Sequence, residues 1–485
     1  MTPEPAVVEP ARKFTRAELD ELVCGLAAAL AAHGAGPNGR VGWMMGNRAE
    51  VLAVALAARG LGAPVVAFGR RCTRDELAGR IRIAGPSVIV VDAVDRERVR
   101  AAAGDVPVLD VDTPLPTGPA PRAPVGTGVP DRLGAGASLL FTSGTSGSPK
   151  AALRTRGDRR LAETIADGFG IGQTTRFVVS GPLAHSGPWT CSLMALARGG
   201  TVGILPGFDA DGWLGFAAEQ AMNSGFLTPT QVRLLVRAAG AARGPRPALD
   251  HVVVSGEPFP DELRLDAVRT FGPGFVECYG STELGPLTAL PAREFGARPG
   301  SSGRPFAGVE VAAFHEGERL GPGEEGVLHA RTPLAFDGYV GSGGSGGAAP
   351  PGAGDGWATV RDVGFVDPDG YVHVTGRADD MIISGGVNMF PSDIETVVNA
   401  HPAVRACAVF GLADPVWGQR VAAAVISDRD VGAEELREWL RGRISDDKRP
   451  YDVLRVAELP VTANGKVSRR KLARLARAVV PGHRS

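Results

Sequence analysis

The stretch FTSGTSGSPKAAL, residues 141–153, places Thr142, Ser143, Gly144, Thr145, Ser146 and Gly147 directly after an apolar run and closes the loop with Pro149 and Lys150. Glycine lets consecutive backbone N–H groups converge on one anion, hydroxyls add donors, and lysine adds charge, so this composition suits the holding of a phosphate. The order differs from the GxxxxGK[ST] loop, which excludes the usual P-loop arrangement. Taken alone, such a loop also reads as a flexible Gly/Ser turn.

The order of residues in this loop resembles the phosphate-binding signature of the adenylate-forming superfamily, which contains acyl-CoA synthetases, the adenylation domains of peptide synthetases and firefly luciferase. Three further motifs of that superfamily's pattern follow downstream in order, and a secondary segment precedes the first of them. YGSTELG (279–285) resembles the segment whose aromatic ring packs on adenine, whose Thr touches the α-phosphate and whose Glu holds magnesium; the resemblance gives these roles to Tyr279, Thr282 and Glu283. One carboxylate is enough, since Mg²⁺ completes its shell with phosphate oxygens and water. SGEPFP (255–260) lies where relatives line the adenine pocket, which makes Gly256 and Glu257 secondary candidates. TVRDVGFVDPDGYVHVTGRADDMIISGG (359–386) resembles the ribose-binding and hinge region, so that Asp362 takes the ribose hydroxyls, Arg377 adds a second ribose contact and Asp379 is the hinge. Relatives carry a small residue and Gly before that aspartate, where this chain has Val360 and Arg361. Asp369-Gly370, between alternating apolar residues, reads as a hairpin turn. Finally, LPVTANGKVSRRKL (459–472) resembles the carboxy-terminal motif whose lysine, here Lys466, reaches both the substrate carboxylate and the α-phosphate. A mobile cation suits a step in which two anions meet and charge builds on pyrophosphate.

The resemblance also bears on the acid and the acceptor. His185 in PLAHSGPW lies where relatives border the acyl pocket and joins Lys466, Thr282 and Glu283 as a catalytic candidate; Ser186, Gly187 and Trp189 are pocket candidates. Amino-acid-activating relatives have an Asp after the aromatic position to pair with an α-ammonium group. Ser186 stands there in this chain, which leaves an aryl, arylacrylic or aliphatic acid. The carboxy-terminal segments are most similar to benzoate- and chlorobenzoate-CoA ligases, which implies that Gly385 and Gly386 line a pantetheine tunnel and that Trp417 and Arg449 hold the CoA nucleotide. Asp447 and Tyr451 depart from that branch. The resemblance thus implies ATP, Mg²⁺ and CoA as cofactors and co-substrates, with a carrier-protein phosphopantetheine or an amine as the alternative acceptor. A catalytically inactive nucleotide-binding relative is the remote alternative.

These residues need a scaffold, and the pattern supplies one. Thr15 and Glu18 form a capping box ahead of Leu19, Leu22, Val23, Leu26 and Leu30, and Gly34 stops that helix. Short continuous apolar runs, RVGWMM, APVVAF, PSVIVV, SLLFT, RFVVS, TVGIL, HVVVS and FVECY, alternate with helical stretches. Such runs predict strands covered on both faces, hence an α/β fold with a large amino-terminal domain over residues 1–378. From about Pro391 a helix-strand-strand-helix-strand pattern predicts a small mobile α+β domain over residues 379–485, opened by a capping box of Ser392 and Glu395 and including a helix at AEELREWLRGRI. Residues 113–136 and the Gly/Pro-rich 341–356 read as an irregular connection and a surface loop.

The 485 residues exceed one hydrophobic core, in agreement with two domains. A formal net charge of −1 with 22% charged residues points to no nucleic-acid surface. No apolar run approaches the roughly 20 residues of a membrane span, and MTPEPAVVEPARKF lacks the apolar core of a signal peptide, so a cytoplasmic monomer or homodimer is expected. Cys24, Cys72, Cys191, Cys278 and Cys407 are scattered without a CxxC pair and read as buried free thiols rather than a disulfide or zinc framework.

Overall fold

The predicted apolar runs become strands at the centre of two sheets in a computed structural model that describes residues 4–70, 72–114, 137–142, 150–155, 157–241, 247–340, 354–378, 380–384, 387–414, 417–461 and 467–479. In the first sheet Val7–Val8, Thr201–Ile204, Arg176–Val179, Ser224–Leu227, His251–Val254 and Phe275–Glu277 run parallel, side by side in that order. Thr288–Pro291 and Lys13–Phe14 add antiparallel strands at the two flanks. In the second, Val108–Asp110, Pro86–Val91, Arg40–Met44, Val65–Ala67 and Ser138–Thr142 are parallel, and Lys150–Arg154 and Gly338–Val340 close the edge antiparallel. Consecutive residues such as Phe177, Val178 and Val179 are all buried, as strands sandwiched between helix layers require. Trp213, Phe216 and Phe271 fill part of the core against the first sheet, in one cluster with Phe275 of its strand Phe275–Glu277.

Local signals explain the helix ends. Thr15 and Glu18 do form the expected capping box on Arg16–Ala32, and Gly34 follows with a φ of 80°. The strands Val7–Val8 and Lys13–Phe14 were not expected, because two-residue strands carry no periodicity of their own and are defined by their pairing with Thr201–Ile204 and with each other.

Contacts divide the chain into two compact units, one of Met1–Ala312, His329–Val360 and Val366–Val372, the other of Ala313–Leu328, Arg361–Phe365 and His373–Ser485. The fold is α/β with a large amino-terminal and a small carboxy-terminal domain. In the small unit the long hairpin of Val404–Asp414 and Gly418–Ser427 is covered on both faces. Cys407, Val409, Val421, Ala423 and Val425 face the helices Pro391–Asn399 and Ala433–Leu440, and the alternate residues Ala408, Phe410, Ala422 and Ala424 face Leu472 and Ala476 of the helix Arg469–Val479.

Two expectations are corrected here. Ser392 and Glu395 form no capping box: Pro391 opens the helix, Ser392 Oγ donates to the Thr375 carbonyl at 3.0 Å, and Glu395 accepts from Val409 N and pairs with Arg469. The helix expected at AEELREWLRGRI ends at Leu440, with Arg441 already extended. The segments 115–136 and 341–353 lie outside the described residues. Cys72, Cys191, Cys278 and Cys407 are buried free thiols, and Cys24 is partly exposed. Among the described residues no helix is long and apolar enough to cross a membrane.

Candidate active site

The parallel strands Arg176–Val179, Ser224–Leu227, His251–Val254 and Phe275–Glu277 end at one edge of the first sheet, and the segments carrying His185, Gly256 and Tyr279 leave from that edge. The crevice outside the carboxyl ends of such strands is where open α/β sheets bind ligands. Beyond Tyr279 the chain makes a tight hairpin, with Gly280 paired to Pro286 and Ser281 to Gly285. Gly285 takes a φ of 73°, and a Cβ at Gly280 would sit 2.4 Å from the Gly285 carbonyl, so both glycines are needed for the turn to close. Ser281 Oγ accepts from Leu284 N at 3.1 Å, and Leu284 is buried, which leaves Thr282 and Glu283 at the tip.

The strand Lys150–Arg154 and the segment 336–340, which ends in the strand Gly338–Val340, grip this tip. Arg154 Nη2 donates to the Thr282 carbonyl at 2.8 Å, Phe336 N donates to the Glu283 carbonyl at 2.8 Å, and Tyr339 Oη donates to Glu283 Oε1 at 3.1 Å. Burial lowers the Arg154 pKa from its ordinary value while Glu283 and Asp337 act to raise it. Asp337 in turn accepts from Thr155 N and Oγ1 at 2.6 and 2.7 Å. The strand Lys150–Arg154 that supplies Arg154 is also the exit of the phosphate-loop segment, with Lys150 paired to Thr142 across it. Ser143, Gly144, Thr145, Ser146 and Gly147 lie outside the described residues, as do the side chains of Thr142 and Lys150.

His185 is the amino-terminal cap residue of the helix Ser186–Ala197. Its loop is held by Asn47, whose amide donates to the carbonyls of Gly181 and Leu205 at 2.9 and 3.1 Å and accepts from Leu183 N at 2.9 Å. Ser186 Oγ lies 3.4 Å from Thr282 Oγ1, which brings an acyl-pocket candidate to the α-phosphate candidate. Gly187 is packed against Phe226, since a Cβ there would come within 2.5 Å of the ring. Trp189 is buried. Nearby thiols offer no nucleophile: burial pushes Cys191 up to about 12 and raises Cys278 as well.

Gly256 has a φ of 97° and open space where a side chain would point. Glu257 accepts from Thr230 N and Oγ1 at 3.1 and 2.6 Å, a carboxylate seated on the first turn of the helix Pro229–Ala241.

In the second unit Asp362 is buried and pairs with Arg377 at 3.6 Å across the hairpin of Asp362–Val366 and Val372–Arg377. The departure before Asp362 has a physical reading: Arg361 holds a φ of 66°, the left-handed region that the usual glycine adopts freely. Gly370 closes the expected hairpin turn with a φ of 83°. Trp417 is 54% exposed at the turn of the long hairpin, where its backbone N–H donates to Asp414 Oδ1 at 2.9 Å. Arg449 is engaged within its own loop, paired with Asp446 at 2.9 Å and donating to the Ile444 carbonyl. Arg437 instead lies over the Tyr451 ring at 4.7 Å. Asp379, Gly385, Gly386 and Lys466 lie outside the described residues. Arg154, Tyr339 and Asn47 carry no motif and were not singled out from the sequence.

Residues 2–340 match the AMP-binding enzyme family, and residues 393–466 match the AMP-binding enzyme C-terminal domain. The chain belongs to the AMP-binding enzyme family. As an AMP-binding enzyme it is 32% identical over 479 residues to a feruloyl-CoA synthase from an Amycolatopsis species, covering 95% of this chain and 94% of the relative. Its fold is shared with the o-succinylbenzoate CoA synthetase of Bacillus subtilis, solved with its acyl-adenylate intermediate, at a TM-score of 0.84 and 23% identity over 97% of this chain and 95% of that one. The amide bond synthetase of Marinactinospora thermotolerans superposes with a TM-score of 0.80 at 27% identity, covering 98% and 97% of the two chains.

Proposed function

We propose that this AMP-binding enzyme is an ATP- and Mg²⁺-dependent carboxylic acid ligase that forms an acyl-adenylate and passes the acyl group to the thiol of CoA. The observation that carries the reading is the hairpin tip that presents Thr282 and Glu283 beside Ser186 at the carboxyl edge of the first sheet. A carboxylate oxygen attacks the α-phosphorus and pyrophosphate leaves; the CoA sulfur then attacks the acyl carbon, AMP leaves, and the thiol proton is lost. The Thr282 hydroxyl donates a hydrogen bond to an α-phosphate oxygen, Tyr279 packs on adenine beside Gly256, and Asp362 with Arg377 takes the ribose. Glu283 fits Mg²⁺, because it is a hard oxygen donor with one oxygen already oriented by Tyr339. When bound, the ion neutralises phosphate charge and polarises the α-phosphorus. The catalytic cation is Lys466, and Asp379 is the hinge between a large domain over 1–378 and a small domain over 379–485. His185, Ser186, Gly187 and Trp189 border the acid, an aryl or arylacrylic acid in keeping with the feruloyl-CoA relative. A cytoplasmic location belongs to the same reading, in keeping with the lack, among the described residues, of a helix long and apolar enough to cross a membrane.

A second reading, transfer to an amine, is favoured by the likeness to the amide bond synthetase and by Arg449 being engaged within its own loop, with Asp446 and the Ile444 carbonyl. Pyrophosphate release over a panel of aromatic, arylacrylic and aliphatic acids, followed by mass spectrometry of products with CoA, a carrier protein and amines offered together, tests both. Acyl-CoA as the prompt product is expected; prompt amide or acylated carrier without acyl-CoA replaces the first reading with the second.

A further inference from the structure

We infer that Tyr339 is a positioning residue for the metal-holding carboxylate, setting how Glu283 meets the divalent cation that accompanies ATP. The inference rests on the reading of Glu283 as the metal ligand and adds a residue that no motif identifies. Three observations support it. Tyr339 Oη donates to Glu283 Oε1 at 3.1 Å, which ties one carboxylate oxygen and leaves the other for a cation. Tyr339 is itself held: its backbone pairs with Ala152 on the strand that leaves the phosphate-loop segment, and its ring packs edge-on against Phe336 with centroids 4.8 Å apart. Phe336 is buried, and its N–H holds the Glu283 carbonyl at 2.8 Å, so backbone and side chain of Glu283 are fixed by one short segment. The spacing between the phosphate-loop strand and the carboxylate is therefore set by a strand register rather than by the flexible reach of a side chain. Losing the phenol O–H leaves Glu283 free to rotate, and the ion must then order it on binding.

The test uses Mn²⁺ as the probe, followed by electron paramagnetic resonance, with the full chain and α,β-methylene-ATP, whose bridge blocks adenylation. Affinity for AMP without metal is measured alongside by calorimetry. Tyr339→Phe keeps the ring contact with Phe336 and removes only the donor. We expect Mn²⁺ affinity in the ternary complex to fall about tenfold, as for other groups that orient a metal ligand, with AMP affinity unchanged. Glu283→Gln is the second arm. If Glu283→Gln weakens Mn²⁺ while Tyr339→Phe does not, the positioning role is wrong and the reading of Glu283 stands. If Glu283→Gln leaves Mn²⁺ affinity intact, both are wrong. Equal losses of Mn²⁺ and AMP affinity in Tyr339→Phe would mean a loosened fold and would also overturn the role.

Discussion

Ser186 Oγ and Thr282 Oγ1 stand 3.4 Å apart, although 96 residues separate them in the chain. Ser186 begins a helix that leaves the middle of the first sheet, and Thr282 sits on a hairpin beyond its last parallel strand. Under the proposed function, the carboxylate to be activated and the phosphorus it attacks meet beside this pair of hydroxyls, which separate elements hold. Such placement lowers the barrier by orientation before any charge is stabilised.

Thr282→Val removes the hydroxyl and keeps the shape. Adenylation is expected to slow about 100-fold, the usual loss for one donor aimed at a developing charge, while Thr282→Ser retains most of the rate. Ser186→Leu should raise the KM for the acid and leave that for ATP unchanged. Pyrophosphate exchange into ATP at varied acid and ATP concentrations measures all three variants.

Lys466→Ala should lower adenylation by about 10²–10³. Thioester formation from a synthetic acyl-adenylate should survive, because the charge is needed only while two anions approach. Single-turnover assays of each half-reaction decide it: intact exchange with a lost second step would remove Lys466 from its role.

Arg361, with its φ of 66°, is a site of stored strain. Arg361→Gly should not lower the urea unfolding midpoint, since relief of the left-handed conformation offsets the added freedom of the unfolded chain. Arg361→Val should cost about 1–2 kcal/mol, because a branched Cβ is least tolerated there.

Glu50 is buried and accepts hydrogen bonds from both Arg48 and Arg12, at 2.7 to 3.1 Å. Burial acts to raise its pKa, yet the hydrogen bonds from Arg48 and Arg12 hold it down to about 2 from an ordinary 4.5. The carboxylate therefore stabilises the fold fully above pH 4.5, and this contribution is lost as pH falls toward 2. Glu50→Gln should cost about 2–3 kcal/mol at neutral pH and flatten the decline between those values, read from urea midpoints across the acid range.

The residues whose chemistry is local were legible from the chain alone. A capping box such as Thr15 with Glu18 closes within one helical turn. Continuous apolar runs likewise gave away strands buried on both faces. What depended on distant partners was not legible. Ser392 and Glu395 have the spacing of a cap, but Arg469, 74 residues away, takes the glutamate and a carbonyl on a neighbouring strand takes the serine. Asn47, Arg154 and Tyr339 look ordinary in the sequence, and they matter because folding brings Gly181, Thr282 and Glu283 to them from 134, 128 and 56 residues away. Residue types set which reaction the chain is equipped for, whereas sheet packing decided which side chains hold the reacting groups in place, since hydrogen bonds between strands far apart in sequence leave no period or motif behind.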